Sequence, residues 1–138
     1  HDLTGEAEAI LEAADRANCT VHLPYDVVVA TEFAANPPSL RTANVHEVAA
    51  DEMILDLGPA AVEALGDVLK TCRTLVWNGP LGAFETPPFD AATIALARTA
   101  AALTGDGSLV FSFVSTAGGA FLEWMEGRTL SGVAALQR

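Results

Sequence analysis

The run Leu75-Val76-Trp77-Asn78-Gly79-Pro80-Leu81-Gly82-Ala83-Phe84-Glu85 carries more structural information than any other part of this chain. Apolar residues of strand character lead directly into two glycines, a proline, an amide and a carboxylate. Gly79 and Gly82 let backbone approach a ligand closely, because no Cβ stands in the way. Pro80 fixes one φ and stiffens the turn. Asn78 offers a donor and an acceptor, and Glu85 can accept from a sugar hydroxyl. A loop at the carboxyl end of a strand in an α/β sheet is a usual place for a ligand. The plainer reading of the same residues is a tight strand-to-helix connection, since glycine and proline punctuate loops in general.

Outward from this run, helices and strands alternate. Thr4 to Ala17 has Ala7, Ile10, Leu11 and Ala14 at helical spacing, with Glu6 near the N-terminus. Thr20 to Leu23 and Val27 to Ala30 read as strands, and Asn36-Pro37-Pro38-Ser39 as a loop. Arg41 to Val48 alternates weakly and reads as extended. Met53 to Leu57 reads as a strand that ends at Gly58-Pro59; Pro59 suits a first helical turn, where its missing N–H is harmless. Ala60 to Lys70 continues as a helix with Val62, Leu65 and Leu69 on one face. Thr74 to Trp77 is expected to be a strand. Phe89-Asp90 opens an alanine-rich helix reaching about Leu103, with Asp90 a candidate N-cap. Ser108 to Val114 reads as a strand, Ser115 to Gly119 as a loop, and Ala120 to Glu126 as a helix stopped by Gly127. This alternation favours an α/β fold with a parallel sheet.

Composition limits the classes of function. A chain of 138 residues suits one domain, and 51% hydrophobic residues suffice for a core. No apolar run approaches the roughly 20 residues of a membrane span, so no membrane role is expected. No signal peptide is evident, and the chain starts at His1 without a methionine, which points to a fragment or a processed product. The net charge of −11 argues against nucleic-acid binding, which needs a basic face. The acidic balance fits a solvated surface. It still allows an anionic nucleotide where backbone dipoles or a metal ion dominate the local field.

Lys70 is the only lysine, and no Gly-x-x-x-x-Gly-Lys-Ser/Thr loop is present, which excludes a P-loop enzyme. Cys19 and Cys72 lack Cys-x-x-Cys spacing and read as reduced, mostly buried thiols of a cytosolic protein. His22 and His46 have no partner at ligand spacing and read as structural. Asp51-Glu52 reads as a helix start or a solvated turn, and Trp77 and Trp124 as core or pocket wall.

Three ordered motifs together resemble one family. Leu75 to Glu85 resembles the nucleotide-binding loop of phosphoglycerate kinase. Val114-Ser115-Thr116-Ala117-Gly118-Gly119-Ala120-Phe121-Leu122-Glu123 resembles that family's hinge and the start of its C-terminal helix. Asp51-Glu52-Met53-Ile54-Leu55-Asp56-Leu57-Gly58-Pro59 resembles the segment leading to its adenine pocket. The resemblance places residues 1–138 in the later part of the C-terminal, nucleotide-binding domain. It implies a three-layer, Rossmann-like parallel sheet flanked by helices, here as an incomplete domain. It implies that Asn78 lies near the nucleotide phosphates, that Glu85 holds the ribose hydroxyls and that Leu55 lines the adenine pocket. Backbone from Gly79 through Pro80 to Gly82 would lie nearby. Gly118 and Gly119 would face the phosphoryl group in transfer, where helix N–H groups and the helix dipole stabilise negative charge. Ser115-Thr116 would sit at the hinge. The implied ligands are ATP or ADP with Mg2+, and 3-phosphoglycerate held by an absent N-terminal domain. The implied protein is monomeric and cytoplasmic.

One stretch departs from the pattern. Between Val110 and Phe113 the family places a Gly-Gly-Gly-Asp-Ser/Thr loop, a helix and a connector, whereas here Ser108-Leu109-Val110 runs almost directly into Phe111-Ser112-Phe113. The aspartate of that loop would coordinate the nucleotide's magnesium, so the chain itself offers no metal ligand. Either the segment is deleted from the protein, or it exists natively and is only missing from this chain. The second is preferred, because both flanks keep the pattern and a phosphate loop without ligand readily disorders. Phosphoryl transfer works by positioning and charge neutralisation, and most of the cationic groups for it are absent. This polypeptide alone is therefore expected to lack kinase activity. The competing functions are a non-enzymatic α/β module that has lost the phosphate loop, and an unrelated nucleotide-binding domain with a convergent loop.

Overall fold

A computed structural model describes residues 3–105, 107 and 126–128. Helix α1 spans Thr4–Arg16, strand β1 Asp26–Ala30, strand β2 Arg41–Asn44 and strand β3 Met53–Leu57. Helix α2 spans Pro59–Thr71 and helix α3 Ala91–Gly105, with a short 3₁₀ turn at Val45–Glu47. The expected strand at Ser108–Val114, the hinge at Ser115-Thr116, and the helix start at Gly118 and Gly119 lie outside the described residues.

The α/β class expected from the sequence holds, but the described strands pair antiparallel rather than parallel. Their order is β2-β1-β3, with Val27 opposite Ala43 on one side and opposite Leu57 on the other. The connections explain this. A parallel pair needs a crossover of about a dozen residues or more, usually a helix. Residues 31–40 join β1 to β2 and residues 45–52 join β2 to β3, and neither connection contains an α-helix. Thr74–Trp77 forms no strand, and neither does Thr20–Leu23.

Two helices cover this small sheet. Helix α2 packs on β1 and on α3, and α3 packs on β3. Gly66 is buried on α2, where a Cβ would meet Leu96 and Thr99 of α3, and Ala92, Leu96 and Ala100 recur every four residues as the buried side of α3. Val27, Val29 and Ala43 form a cluster with the half-buried Val45 and Val48, and Phe89 is fully buried. By contrast α1 buries none of its residues; Ile10 is 64% exposed. It ends in a hydrogen-bonded cap, with Asn18 at φ 52° and the Cys19 N–H donating to the Ala14 carbonyl at 2.8 Å. Cys19 is exposed, which corrects its expected burial, while Cys72 is half-buried.

Two polar anchors fix the connections. Pro59 occupies the first turn of α2 as expected. The free amides behind it, Ala60 and Ala61, donate to the Asp26 carboxylate at 3.0 and 2.6 Å. A carboxylate is favoured there by the helix dipole. Arg41 grips Glu52 with two N–H groups at 2.7 and 2.6 Å and also donates to the Glu47 carbonyl. That fork ties β2 to the residues just before β3 and leaves the Glu52 side chain only 8% exposed.

Candidate functional site

The site starts from an irregularity in β3. Val28 faces Asp56 but Val29 faces Ile54, so Leu55 is the extra residue of a β-bulge. A bulge leaves one residue outside the ladder and re-aims its side chain. The Leu55 carbonyl accepts the Ala83 N–H at 2.8 Å instead. This bond hangs the glycine loop on β3. The loop then turns on itself, with Phe84 N–H donating to Gly82 and Thr86 N–H to Ala83, and its Leu81 N–H reaches Thr93 Oγ1 on α3 at 3.0 Å.

Asp56 is the polar centre of this assembly. It is 2% exposed, its Oδ1 accepts the Leu57 N–H at 2.9 Å, and its Oδ2 accepts the Ala92 N–H in the first turn of α3 at 3.0 Å. Burial pushes its carboxyl above the ordinary carboxylate value; the two amides oppose that rise, and the nearby charge of Asp90 adds to it. Gly82 presses against the same carboxylate. A Cβ on Gly82 would overlap Asp56 Oδ1 and stand 2.7 Å from the Phe89 carbonyl oxygen. The space that glycine leaves free here is therefore filled by the protein itself.

A cavity of about 360 Å³ opens beside these residues, lined by Leu55, Leu57, Leu81, Gly82 and Ala83 with Val27 behind them. Its wall is mainly apolar, with Asp56 the charged group in it. A mainly apolar wall with few polar groups is the general character of small-molecule sites.

Of the sequence candidates, the structure brings Leu55 and Gly82 together in this wall. Asn78, Gly79, Pro80 and Glu85 are exposed and lie outside the cavity lining. Gly79 differs from Gly82. It has φ 130°, which favours glycine, and no atom stands within 4 Å of where its Cβ would be. Gly79 is open to an incoming group, whereas Gly82 is not. Asp56 and Asp26 were not identified from sequence as functional positions. The available signal was a carboxylate inside an apolar strand, which must find donors if buried.

Magnesium does not fit the described residues. No group of three or more His, Cys, Asp or Glu that could hold a metal occurs among the described residues. Both Asp56 oxygens are already committed to amides.

The geometry defines an α/β protein with an apolar cavity beside a bulged strand, lined in part by a glycine loop. Comparison narrows the class. The phosphoglycerate kinase family model matches residues 1–128. The phosphoglycerate kinase of Novosphingobium aromaticivorans is 71% identical over 157 residues, covering 99% of this chain and 40% of that protein. That of Rhizorhabdus wittichii is 72% identical with 99% and 39% coverage. Among solved structures, phosphoglycerate kinase from Coxiella burnetii superposes with a TM-score of 0.79 at 34% identity, over 91% of this chain and 37% of that one. The Pyrococcus horikoshii OT3 enzyme, at 22% identity and TM-score 0.73, shares the fold.

The chain belongs to the phosphoglycerate kinase family. It spans about 40% of the length of the curated relatives it matches.

Proposed function

We propose that this chain supplies the purine end of the nucleotide site of a phosphoglycerate kinase. The complete protein would reversibly move a phosphoryl group between 1,3-bisphosphoglycerate and ADP, giving 3-phosphoglycerate and ATP. The observation that carries the reading is the Leu55 bulge, whose carbonyl takes the Ala83 N–H and sets Leu55 and Gly82 in one apolar cavity. The purine would enter there. The open backbone at Gly79, with Asn78 and Glu85, would face the phosphates and ribose, and Gly118 and Gly119 the transferring group.

Other features support a part of a larger domain. Ile54, Val76 and Phe84 are 58, 50 and 47% exposed, as surfaces made to meet further structure would be. The matches to relatives run over 157 residues although this chain has 138. That supports a segment of the complete protein falling between 110 and 113, and the magnesium ligand would belong to it. No helix among the described residues is long and apolar enough to cross a membrane. The complete protein would be a monomeric cytoplasmic enzyme, with 3-phosphoglycerate held by another domain. The isolated chain would be inactive.

Calorimetry on the complete enzyme tests the assignment. Leu55→Ala should weaken ADP binding by about tenfold, a loss of about 1.4 kcal/mol. Glu85→Ala should weaken it as well. Unchanged ADP affinity for Leu55→Ala overturns the cavity as the purine site; unchanged affinity for Glu85→Ala removes that residue from the ribose.

A further inference from the structure

We propose that Asp56 is a positioning residue of this nucleotide site, locking the Gly82 loop, the first turn of α3 and the Leu55 bulge into one arrangement. The inference rests on the reading of the cavity as the purine site. Asp56 sits one residue beyond the bulge, opposite Val28, so its backbone is fixed by the β1–β3 ladder. Its carboxylate faces the other way, into the join between β3, the loop and α3. Three elements meet on its two oxygens: Leu57 of its own strand, Ala92 of α3, and the Cα face of Gly82.

The loop has a second tether, the Ala83 N–H to Leu55 carbonyl bond. A further bond, Leu81 N–H to Thr93 Oγ1, ties it to α3, but neither bond holds Gly82 between them. The carboxylate packed against Gly82 does so, and Leu81 to Ala83 then stand at a fixed distance from Leu55 across the cavity. Asp56 is not suited to act on a ligand directly. Both of its oxygens are engaged by amides, and it is almost wholly buried. Its influence must pass through the loop and the bulge. Site walls held by such supporting contacts lose affinity when the support is removed, even though no ligand contact changes.

The test uses the complete enzyme with Asp56→Asn and Gly82→Ala. Asparagine keeps the shape but turns one acceptor into a donor facing an amide donor. Alanine at 82 keeps the carboxylate but forces the loop away from it. In both variants the KM for ADP should rise by roughly tenfold or more, while the KM for 1,3-bisphosphoglycerate stays unchanged. A purely structural role would lower the unfolding temperature and leave the ratio of the two KM values alone; that result overturns the proposal. Equal rises in both KM values overturn it too. If Asp56→Asn fails to fold, Asp56→Glu, which keeps the charge but shifts the carboxylate against Gly82, decides by the same ratio. Leu55→Ala separates this inference from the reading beneath it. Weakened ADP binding in Leu55→Ala with normal KM values in the other two leaves the site and ends the positioning role. Normal ADP binding in Leu55→Ala ends both.

Discussion

Asp26 and Asp56 each meet the first turn of a helix, but they join different numbers of elements. Asp26, half-buried, gives both oxygens to consecutive amides of α2, Ala60 and Ala61, while its backbone carbonyl accepts the Gly58 N–H at 2.9 Å. It fastens one strand to one helix. Asp56, buried, divides its oxygens between its own strand and α3 and has Gly82 against it. Both have a glycine where a side chain would collide with the carboxylate. The shared device is a cap supplied from a neighbouring strand rather than from the residue before the helix. The difference shows when such a cap becomes part of a site: the carboxylate also holds a loop, and the loop lines a cavity.

Deleting each carboxylate in the complete enzyme and following amide hydrogen exchange should separate the two anchors most clearly. Asp56→Ala leaves the Ala92 and Leu57 donors buried without partners, so local opening there should become easier by about 2–3 kcal/mol. Faster exchange should spread to Ala83, because the loop loses the carboxylate packed against Gly82 and keeps only its bonds to Leu55 and Thr93. Exchange confined to Ala92, with Ala83 unaffected, would separate the cap from the loop and reduce Asp56 to the condition of Asp26. Asp26→Ala should be milder. Its donors gain access to water, so a loss of about 1 kcal/mol is expected at Ala60 and Ala61. The Ala83 amide should not respond, and a response there would mean that the two anchors are coupled through α2 and α3.

This comparison also shows what the sequence could and could not reveal. The helices were legible from local signals: helical spacing in α1, Pro59 at the first turn of α2 with Val62, Leu65 and Leu69 on one face, and the alanine-rich run of α3. Strands β1 and β3 were legible as apolar runs. Pairing direction was not, because alternation says which residues share a face and nothing about the neighbouring strand. Leu75 and Trp77 are half-buried around an exposed Val76, a strand-like pattern, yet Thr74–Trp77 pairs with nothing among the described residues. At the site, Leu55 and Gly82 were recognised as candidates, but the reason for each changed. Leu55 depends on a bulge, a register property that no single strand displays. Gly82 is glycine at a place where Asp56 fills the missing side chain, so its partner lies 26 positions earlier in the chain. The glycine that does face open space is Gly79, and only its φ and surroundings distinguish the two.

The smallest expected effect, and the most specific, is in the pH dependence. Asp56 is shifted upward by burial, so in the range just above its ordinary value of 3.8 the folded state binds more protons than the unfolded state. Its contribution is complete below that ordinary value and is lost as pH rises through the raised one. Glu52 behaves oppositely. The Arg41 fork, and then the Ala49 amide, hold it below its ordinary value of 4.5, so its contribution is present above 4.5 and lost as pH falls through the lowered value. Acidification from neutrality should therefore first firm the α3 junction and only later loosen the β2–β3 connection. Protection factors at Ala92 should rise on acidification through the raised Asp56 range, and protection at Ala49 should fall at lower pH. Asp56→Asn should flatten the first change and Glu52→Gln the second, each leaving the other intact. If Asp56→Asn left the Ala92 profile unchanged, that carboxyl would titrate like an exposed one, and its burial would have no energetic consequence for the junction.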